Sequence, residues 1–135
     1  KYPGIPELSL HRINKDDVID VKGVKIKPIE VIHYKLPVLG FRFNDFVYIT
    51  DANYISEEEL EKVKGSQVLV INALKKTSHI SHFTLDEALE VIEKVKPERA
   101  YITHISHQMG LHAEVQKELP PHVYLAYDGL QLSLS

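Results

Sequence analysis

The chain has 135 residues, 44% of them hydrophobic and 26% charged, which is the size and composition of one globular domain with an apolar core. Its formal net charge of −3 argues against a large surface for the phosphates of long nucleic acids. The absence of cysteine excludes disulfides and thiolate metal sites, and it is compatible with a cytoplasmic location. No run of about 18 apolar residues is present, so we expect no membrane-spanning helix.

The first half of the chain has the alternation typical of β-strands. Residues 8–13 alternate well enough to predict one strand. Residues 16–21 and 25–32 alternate on either side of Lys22-Gly23, which predicts a hairpin with Pro28 at a sheet edge or a bulge. A second predicted hairpin has its strands and turn at residues 39–43, 46–50 and 44–45.

From residue 55 the pattern changes to helices alternating with strands. Two capping boxes, Ser56 with Glu59 and Thr84 with Glu87, predict helix starts. Gly65 and Pro97 predict the corresponding helix ends. The second helix has an apolar stripe at helical spacing, formed by Leu85, Ala88, Leu89, Ile92 and Val95. Further predicted elements are strands at 68–71 and 100–103, a short helix near 111–118, and a strand pair at 123–126 and 130–134.

This order of elements predicts a single α/β domain over residues 1–135, α+β-like in having a strand-rich first half. We expect one mixed β-sheet with helices on one face. The opposite face of such a sheet also needs a cover, which the predicted elements do not supply.

Polar side chains follow four of the predicted strands, at the point where each strand ends. They are His33, Asp51, Asn72 and His104. In an open α/β sheet, ligands bind beyond the carboxyl ends of the strands, so these side chains are expected to meet. Neutral imidazole suits zinc, manganese, iron and nickel, and a carboxylate can bridge two ions. We therefore interpret His33, Asp51 and His104 as metal ligands, the alternative being residues that only cap the backbone. Asn72 either supports the site by hydrogen bonding or begins a loop.

The sequence His-Ile-Ser-His occurs twice, at residues 79–82 and 104–107, which suggests two loops that meet in one polar place. His82 and His107 are candidate catalytic residues, because a histidine beside a metal can hold substrate phosphate or protonate a leaving group. The alternative is that they only support the ligands by hydrogen bonding. His79 either orients His82 or is solvated, and solvation is the favoured interpretation. His112 is predicted to lie at the surface.

These residues resemble the metallo-β-lactamase superfamily. The resemblance rests on Ile-Thr-Asp-Ala at residues 49–52, on Tyr-Ile-Thr-His-Ile-Ser-His at 101–107, on His33 before a Leu-Gly-Phe turn, and on residues 72–82. It covers residues 28–129. The branch that it resembles most contains the phosphoribosyl cyclic phosphate phosphodiesterase and is related to the tRNA 3′-processing endonucleases.

The resemblance implies an αββα sandwich of two similar halves with a dinuclear zinc or manganese centre between them. It implies that His33 and His104 each bind one metal and that Asp51 bridges the two. His82 would lie close to the substrate phosphate as a general acid, with His107 nearby. The implied substrate is a small cyclic or diester phosphate, hydrolysed by hydroxide formed at the two metals.

The family's His-x-His-x-Asp-His motif does not occur in this sequence, so the chain resembles the second half of such an enzyme. A first residue of Lys1 and a single methionine, Met109, agree with a piece of a longer protein. Since only part of the ligand set is present, we expect the chain alone to bind metal weakly and to be inactive. We expect the uncovered sheet face to form a homodimer, and we do not expect nucleic acid as a partner.

Three other functions stay open at this point. A fragment of a tRNA 3′-processing endonuclease is one, although the net charge of −3 counts against it. A non-catalytic half-domain could instead self-associate through an exposed apolar sheet face. A small α/β binding domain with incidental histidines is the third, and it would gain no stability from added metal.

Overall fold

The computed structural model describes residues 3–135, which form a seven-stranded mixed sheet and three α-helices. The strands are β1 (Ile19–Val21), β2 (Val24–His33), β3 (Leu36–Phe43), β4 (Phe46–Ile49), β5 (Val68–Asn72), β6 (Arg99–Thr103) and β7 (Val123–Leu125). The helices are α1 (Glu57–Glu61), α2 (Leu85–Val95) and α3 (His112–Glu118), and a 3₁₀ turn spans His107–Met109. The strands lie side by side in their chain order, which confirms the predicted mixed sheet of an α/β fold.

Strands β1 to β4 are antiparallel and form the two predicted hairpins. Lys22 and Gly23 connect β1 to β2 with φ values of 51° and 88°, as a type I′ turn requires at both central positions. Asn44 begins the turn between β3 and β4 with φ 52°, a conformation that asparagine tolerates better than most residues. Pro28 lies where β1 no longer pairs with β2, since that pairing ends at Ile26. Pro28 therefore occupies an edge position, as predicted.

Strands β4 to β7 are parallel, and a helix follows each of the first three. The capping box of α2 is complete, because Thr84 Oγ1 accepts from the Glu87 N–H at 3.2 Å and Glu87 Oε1 accepts from the Thr84 N–H at 3.0 Å. Lys96 caps the carboxyl end of α2 with a left-handed backbone conformation, immediately before Pro97. With 11 residues it is the longest helix of residues 3–135, and no helix there could cross a bilayer.

Helix α1 shows only half of its predicted capping box. Ser56 Oγ accepts from the Glu59 N–H at 3.3 Å, but the Glu59 carboxylate turns to the sheet and accepts from the Glu30 N–H at 2.8 Å. The same buried carboxylate pairs with Lys62 Nζ at 2.9 Å, and Lys62 Nζ donates to the Lys15 carbonyl at 2.8 Å. Tertiary contacts have therefore replaced the local cap, and they tie α1 both to β2 and to the segment before β1.

Two predicted strands are absent from the described residues. Residues 8–13 form no strand, and Leu8 and Leu10 are 83% and 96% exposed, so no face of the sheet buries their alternating apolar side chains. Residues 130–134 also form no strand. Leu130 and Leu132 instead pack across the sheet face, so their apolar alternation reflects burial against a surface rather than strand pairing. The predicted helix end at Gly65 makes α1 too long, since the observed helix ends at Glu61.

The two faces of the sheet differ in what covers them. The helices pack on one face, where the larger core includes Val47, Leu69, Ala100 and Val123 in register across neighbouring strands. The opposite face presents a row of in-register side chains, the aromatic row, formed by Phe41, Tyr48, Val70, Tyr101 and Tyr124. Tyr101 and Tyr124 stack at 5.3 Å between ring centroids, and Tyr48 is 45% exposed. This face is therefore apolar but only partly covered.

Candidate metal centre

Four predicted site residues meet at one edge of the sheet. His33 ends β2, Asp51 follows β4, His104 follows β6, and His82 lies in the loop between β5 and α2. Strands β2, β4, β5 and β6 all run in the same direction, because β2 and β4 are both antiparallel to β3. Their carboxyl ends therefore reach the same edge, which is where open α/β sheets bind ligands.

Asp51 lies at the centre of this cluster. Its Oδ1 atom is 3.2 Å from His82 Nε2 and 3.6 Å from His104 Nε2. The rings of His82 and His104 stack at 4.6 Å between centroids, and His33 meets His82 edge-on at 5.0 Å. One donor atom from each of His33, Asp51 and His82 lies within 4.8 Å of the others. The carboxylate oxygen is thus within reach of several imidazoles.

The backbone at Asp51 and His104 is held in an unusual conformation. Both residues are left-handed, with φ values of 56° and 59°, a conformation that costs about 1–2 kcal/mol for a residue with a Cβ. The fully buried Asn72 at the end of β5 stabilises the first of these turns. Its Oδ1 accepts from the Ala52 N–H and its Nδ2 donates to the Ala52 carbonyl, each at 2.9 Å. Asn72 therefore supports the site by hydrogen bonding and does not merely begin a loop.

The end of β2 is tied to the segment that follows Asp51. The Ile32 N–H donates to the Tyr54 carbonyl at 2.9 Å, and the Asn53 N–H donates to the Ile32 carbonyl at 2.8 Å. Asn53 Oδ1 in turn accepts from the Tyr34 N–H at 2.7 Å. These bonds fix the position of His33 relative to Asp51, although the two residues come from strands separated by β3.

The electrostatics of the cluster favour an ionised carboxylate beside a neutral imidazole. Partial burial acts to raise the pKa of Asp51, but the hydrogen bond from His82 and the charges of His104, His82 and His33 outweigh it and lower that pKa. Burial lowers the pKa of His82, against the opposing effect of its hydrogen bond to Asp51, and the charges of His104, His33 and His79 lower it further. Metal ligands must be deprotonated, and these shifts favour that state.

The donor set fits a divalent transition metal. Imidazole nitrogens suit zinc and manganese, and a carboxylate accompanies them in many such sites. His33, Asp51 and His104 lie on strand ends and are held by backbone bonds, so the scaffold fixes their direction before any ion binds. Within the part of the chain that the structure describes, the cluster is nonetheless open to solvent, since the side chain of His104 is 40% exposed and that of Asp51 is 47% exposed.

The remaining histidines lie apart from the cluster or differ from their predicted surroundings. His107 begins the 3₁₀ turn and is exposed, and the structure does not bring it into contact with Asp51 or His82. His79 is exposed, as the favoured interpretation predicted, and its ring also contacts that of His82 at 5.1 Å between centroids. His112 is exposed as predicted, and its Nε2 lies 3.3 Å from the Leu125 carbonyl.

Ser81 is a site residue that the sequence reasoning missed. It is buried, and its Oγ lies 2.9 Å from His82 Nδ1. The sequence shows that Ser81 belongs to the first His-Ile-Ser-His motif. Serine is common in loops between a strand and a helix, however, and nothing in the sequence indicates that this one is buried. Only the fold shows that its hydroxyl faces a site histidine.

Comparison with known proteins agrees with this geometry. Residues 1–105 match the beta-lactamase superfamily domain. The chain is 34% identical over 131 residues to the octanoyltransferase of Porphyromonas gingivalis strain ATCC BAA-308 / W83, a match that covers 96% of this chain and 27% of that protein.

Solved structures show the same fold. The crystal structure of a new diphosphatase from the PhnP family matches with a TM-score of 0.90 and 35% identity, covering 94% of this chain and 49% of that one. The metallo-beta-lactamase fold protein YhfI from Bacillus subtilis matches with a TM-score of 0.73 and 18% identity, covering 87% and 53%. The chain thus spans about a quarter of the curated relative and about half of these two structures.

Replacing Asn72 with alanine is expected to lower the free energy of unfolding by about 2–4 kcal/mol, because the buried N–H and carbonyl of Ala52 both lose their partner. Urea denaturation measures this loss. The matched control is Asn53→Ala, which removes a more exposed bond to the Tyr34 N–H and is expected to cost less than about 1.5 kcal/mol. Equal losses in the two variants would contradict the role given to Asn72.

Zinc at about 100 times its dissociation constant is expected to stabilise the chain by about 2.7 kcal/mol. His33→Ala and His104→Ala should each abolish most of this gain, which thermal denaturation with and without zinc measures. His11→Ala is the control, since His11 is exposed and precedes β1. Undiminished stabilisation in the His33 and His104 variants would show that zinc binds elsewhere.

Proposed function

The chain belongs to the beta-lactamase superfamily, and on that basis we propose that it carries part of the active site of a metal-dependent hydrolase of phosphate esters or diphosphates. The observation that supports this most is the convergence of His82 and His104 on one oxygen of Asp51 at the carboxyl edge of the sheet. The similarity to a diphosphatase of the PhnP family, at 35% identity, supports a phosphorylated substrate.

In this proposal His33, Asp51 and His104 hold the metal, zinc or manganese. When bound, such ions lower the pKa of a coordinated water and neutralise the charge of a phosphate group. Because the chain spans about half of the diphosphatase, we propose that further ligands come from polypeptide outside these residues and that two metals occupy the complete site. The left-handed turns at Asp51 and His104 direct both side chains toward the same place.

His82 has a different task in the proposed reaction. Its side chain is 12% exposed and is braced from both sides, by Asp51 at Nε2 and by Ser81 at Nδ1. In the proposed reaction His82 donates its Nε2 hydrogen, which Asp51 accepts in the free chain, to a phosphoryl oxygen of the substrate. His107 remains a candidate only, since it lies on the exposed 3₁₀ turn.

A pocket beside His104 supports a place for part of the proposed substrate. A cavity of about 250 Å³ adjoins His104, between the ends of β6 and β7, and is lined by Thr103, His104, Ile105, Ala126, Tyr127 and Asp128. This volume accommodates a small group such as the leaving group of a phosphodiester. The similarity to the octanoyltransferase does not support an acyl-transfer activity, because the match covers only 27% of that protein.

The aromatic row supports a second proposal, which concerns the binding of another copy of the chain. Leu130 and Leu132 pack against Val70 and Tyr101 of this apolar face, whereas Tyr48 of the same row is 45% exposed. We propose that the isolated chain forms a homodimer through this face, since an apolar patch of this kind marks an association site. In a longer polypeptide the same face is available to a second sheet.

For the hydrolase proposal, the test is hydrolysis of bis(p-nitrophenyl) phosphate with zinc or manganese. We expect the 135-residue chain to show little activity and the polypeptide that contains it to show turnover. In that polypeptide Asp51→Ala should lower kcat by about 100-fold or more, since even residues that only support metal ligands cost about 10–100-fold. His11→Ala serves as the control. Hydrolysis that is unchanged by both Asp51→Ala and His33→Ala would refute the site.

For the dimer, sedimentation velocity of the isolated chain is expected to show a two-chain species. Tyr48→Lys should shift it to a monomer, because the charge would be buried within the aromatic row at the dimer interface. Tyr54→Lys is the matched control, since Tyr54 is 56% exposed and lies outside the row. A wild-type chain that sediments as a monomer at all concentrations would exclude this partner.

A further inference from the structure

Ser81 bridges two histidines in the loop that leads into α2. Its hydroxyl oxygen is 2.9 Å from His82 Nδ1 and 3.3 Å from His79 Nδ1. Its backbone N–H donates to the same His79 nitrogen at 3.3 Å. The serine is 9% exposed, so water has little access to this contact. His82 Nδ1 also lies 3.3 Å from His79 Nδ1, so the buried hydroxyl is the nearer of its two partners.

The hydrogen bonds determine which nitrogen of His82 carries the proton. A neutral imidazole has one N–H, and its other nitrogen accepts. His82 Nε2 faces Asp51 Oδ1 at 3.2 Å, and an ionised carboxylate can only accept a hydrogen bond. The proton therefore lies on Nε2, Nδ1 is an acceptor, and the Ser81 hydroxyl donates to it.

The reverse arrangement is less favourable. If Nδ1 of His82 carried the proton, the lone pair of Nε2 would face the carboxylate of Asp51 at 3.2 Å. The Ser81 hydroxyl would then accept from His82 Nδ1 and donate to His79 Nδ1, which already accepts from the Ser81 N–H and lies 3.3 Å away. The unfavourable contact between the Nε2 lone pair and Asp51 therefore disfavours this alternative.

We propose that Ser81 is a positioning residue that keeps the proton of His82 on Nε2, so that His82 donates a hydrogen bond into the site instead of binding metal. A metal ligand needs a free lone pair on the nitrogen that faces the ion. His82 lies close enough to His33 and Asp51 to act as a ligand, and the Ser81 hydroxyl disfavours that role. The ligands are then His33, Asp51 and His104. That a phosphoryl oxygen replaces Asp51 as the acceptor of the Nε2 hydrogen rests on the proposed hydrolase function.

Histidine ¹⁵N spectra of the chain test this directly, because the two tautomers of a neutral ring have different nitrogen shifts and proton couplings. We expect His82 to be the Nε2–H tautomer in the wild type. On titration with zinc, the signals of His33 and His104 should change to those of ligands while His82 keeps its Nε2 proton. Loss of that proton when zinc binds would make His82 a ligand and overturn the proposal.

Variants at Ser81 provide the second measurement. Ser81→Ala should raise the ratio of the Nδ1–H to the Nε2–H tautomer of His82 about fivefold, as expected for the loss of one hydrogen bond. Ser81→Thr keeps the hydroxyl and should preserve the wild-type ratio. Ser81→Val, in which the side chain is isosteric with that of threonine but has no hydroxyl, should give the ratio of the alanine variant. Ser78→Ala, at an exposed serine of the same loop, should change nothing.

A tautomer ratio that is the same in the threonine and valine variants would refute the role of the hydroxyl. Neither measurement depends on turnover. If the polypeptide hydrolyses no phosphate ester but the tautomer follows the hydroxyl, the hydrolase proposal fails and the positioning role of Ser81 stands.

Discussion

The double hydrogen bond between the Asn72 amide and the Ala52 backbone is the constraint on which the candidate site depends. It joins the end of β5 to the turn after β4, and so it fixes a left-handed residue, Asp51, that would otherwise relax to a more favourable conformation. Because the carboxylate of Asp51 stands between His82 and His104, the position of this one turn determines the distances across the whole cluster. A buried side-chain amide can do this only where both of its polar atoms are satisfied, as they are here.

The cluster also depends on the order of the strands. His33 and Asp51 come from strands that are not neighbours, and they meet because the parallel direction of β2 and β4 brings both carboxyl ends to one edge. The Asn53 and Tyr54 contacts with Ile32 and Tyr34 close the gap that β3 leaves between them. Rigid strand ends and short backbone bonds thus provide preorganisation, while the exposed His104 side keeps the site open to a ligand.

Much of this arrangement was predictable from local sequence signals. The capping box at Thr84, the hairpin turns at Lys22-Gly23 and Asn44, and the polar residues that end buried strands are determined by a few adjacent residues, and all are found in the structure. The resemblance to the metallo-β-lactamase superfamily is confirmed by the family match.

The wrong predictions, the strands at residues 8–13 and 130–134, concern segments whose alternation is real but whose conformation depends on whether a neighbouring strand exists. For the same reason the carboxylate of Glu59 could not be assigned, since its partner, the Glu30 N–H, is distant in sequence. The burial of Ser81 likewise follows from packing and not from its neighbours.

The chain-order arrangement of the strands has a consequence for synthesis on the ribosome. Each strand pairs with the one made just before it, so the sheet can grow from β1 onward without waiting for a distant segment. At every stage the newest strand has one unpaired edge until the next strand emerges, while the outer edge of β1 stays unpaired among residues 3–135. The candidate ligands His33, Asp51 and His104 come together only when β6 has joined the sheet, because His104 directly follows that strand. The strands that carry His33 and Asp51 are therefore already paired when the candidate site is completed.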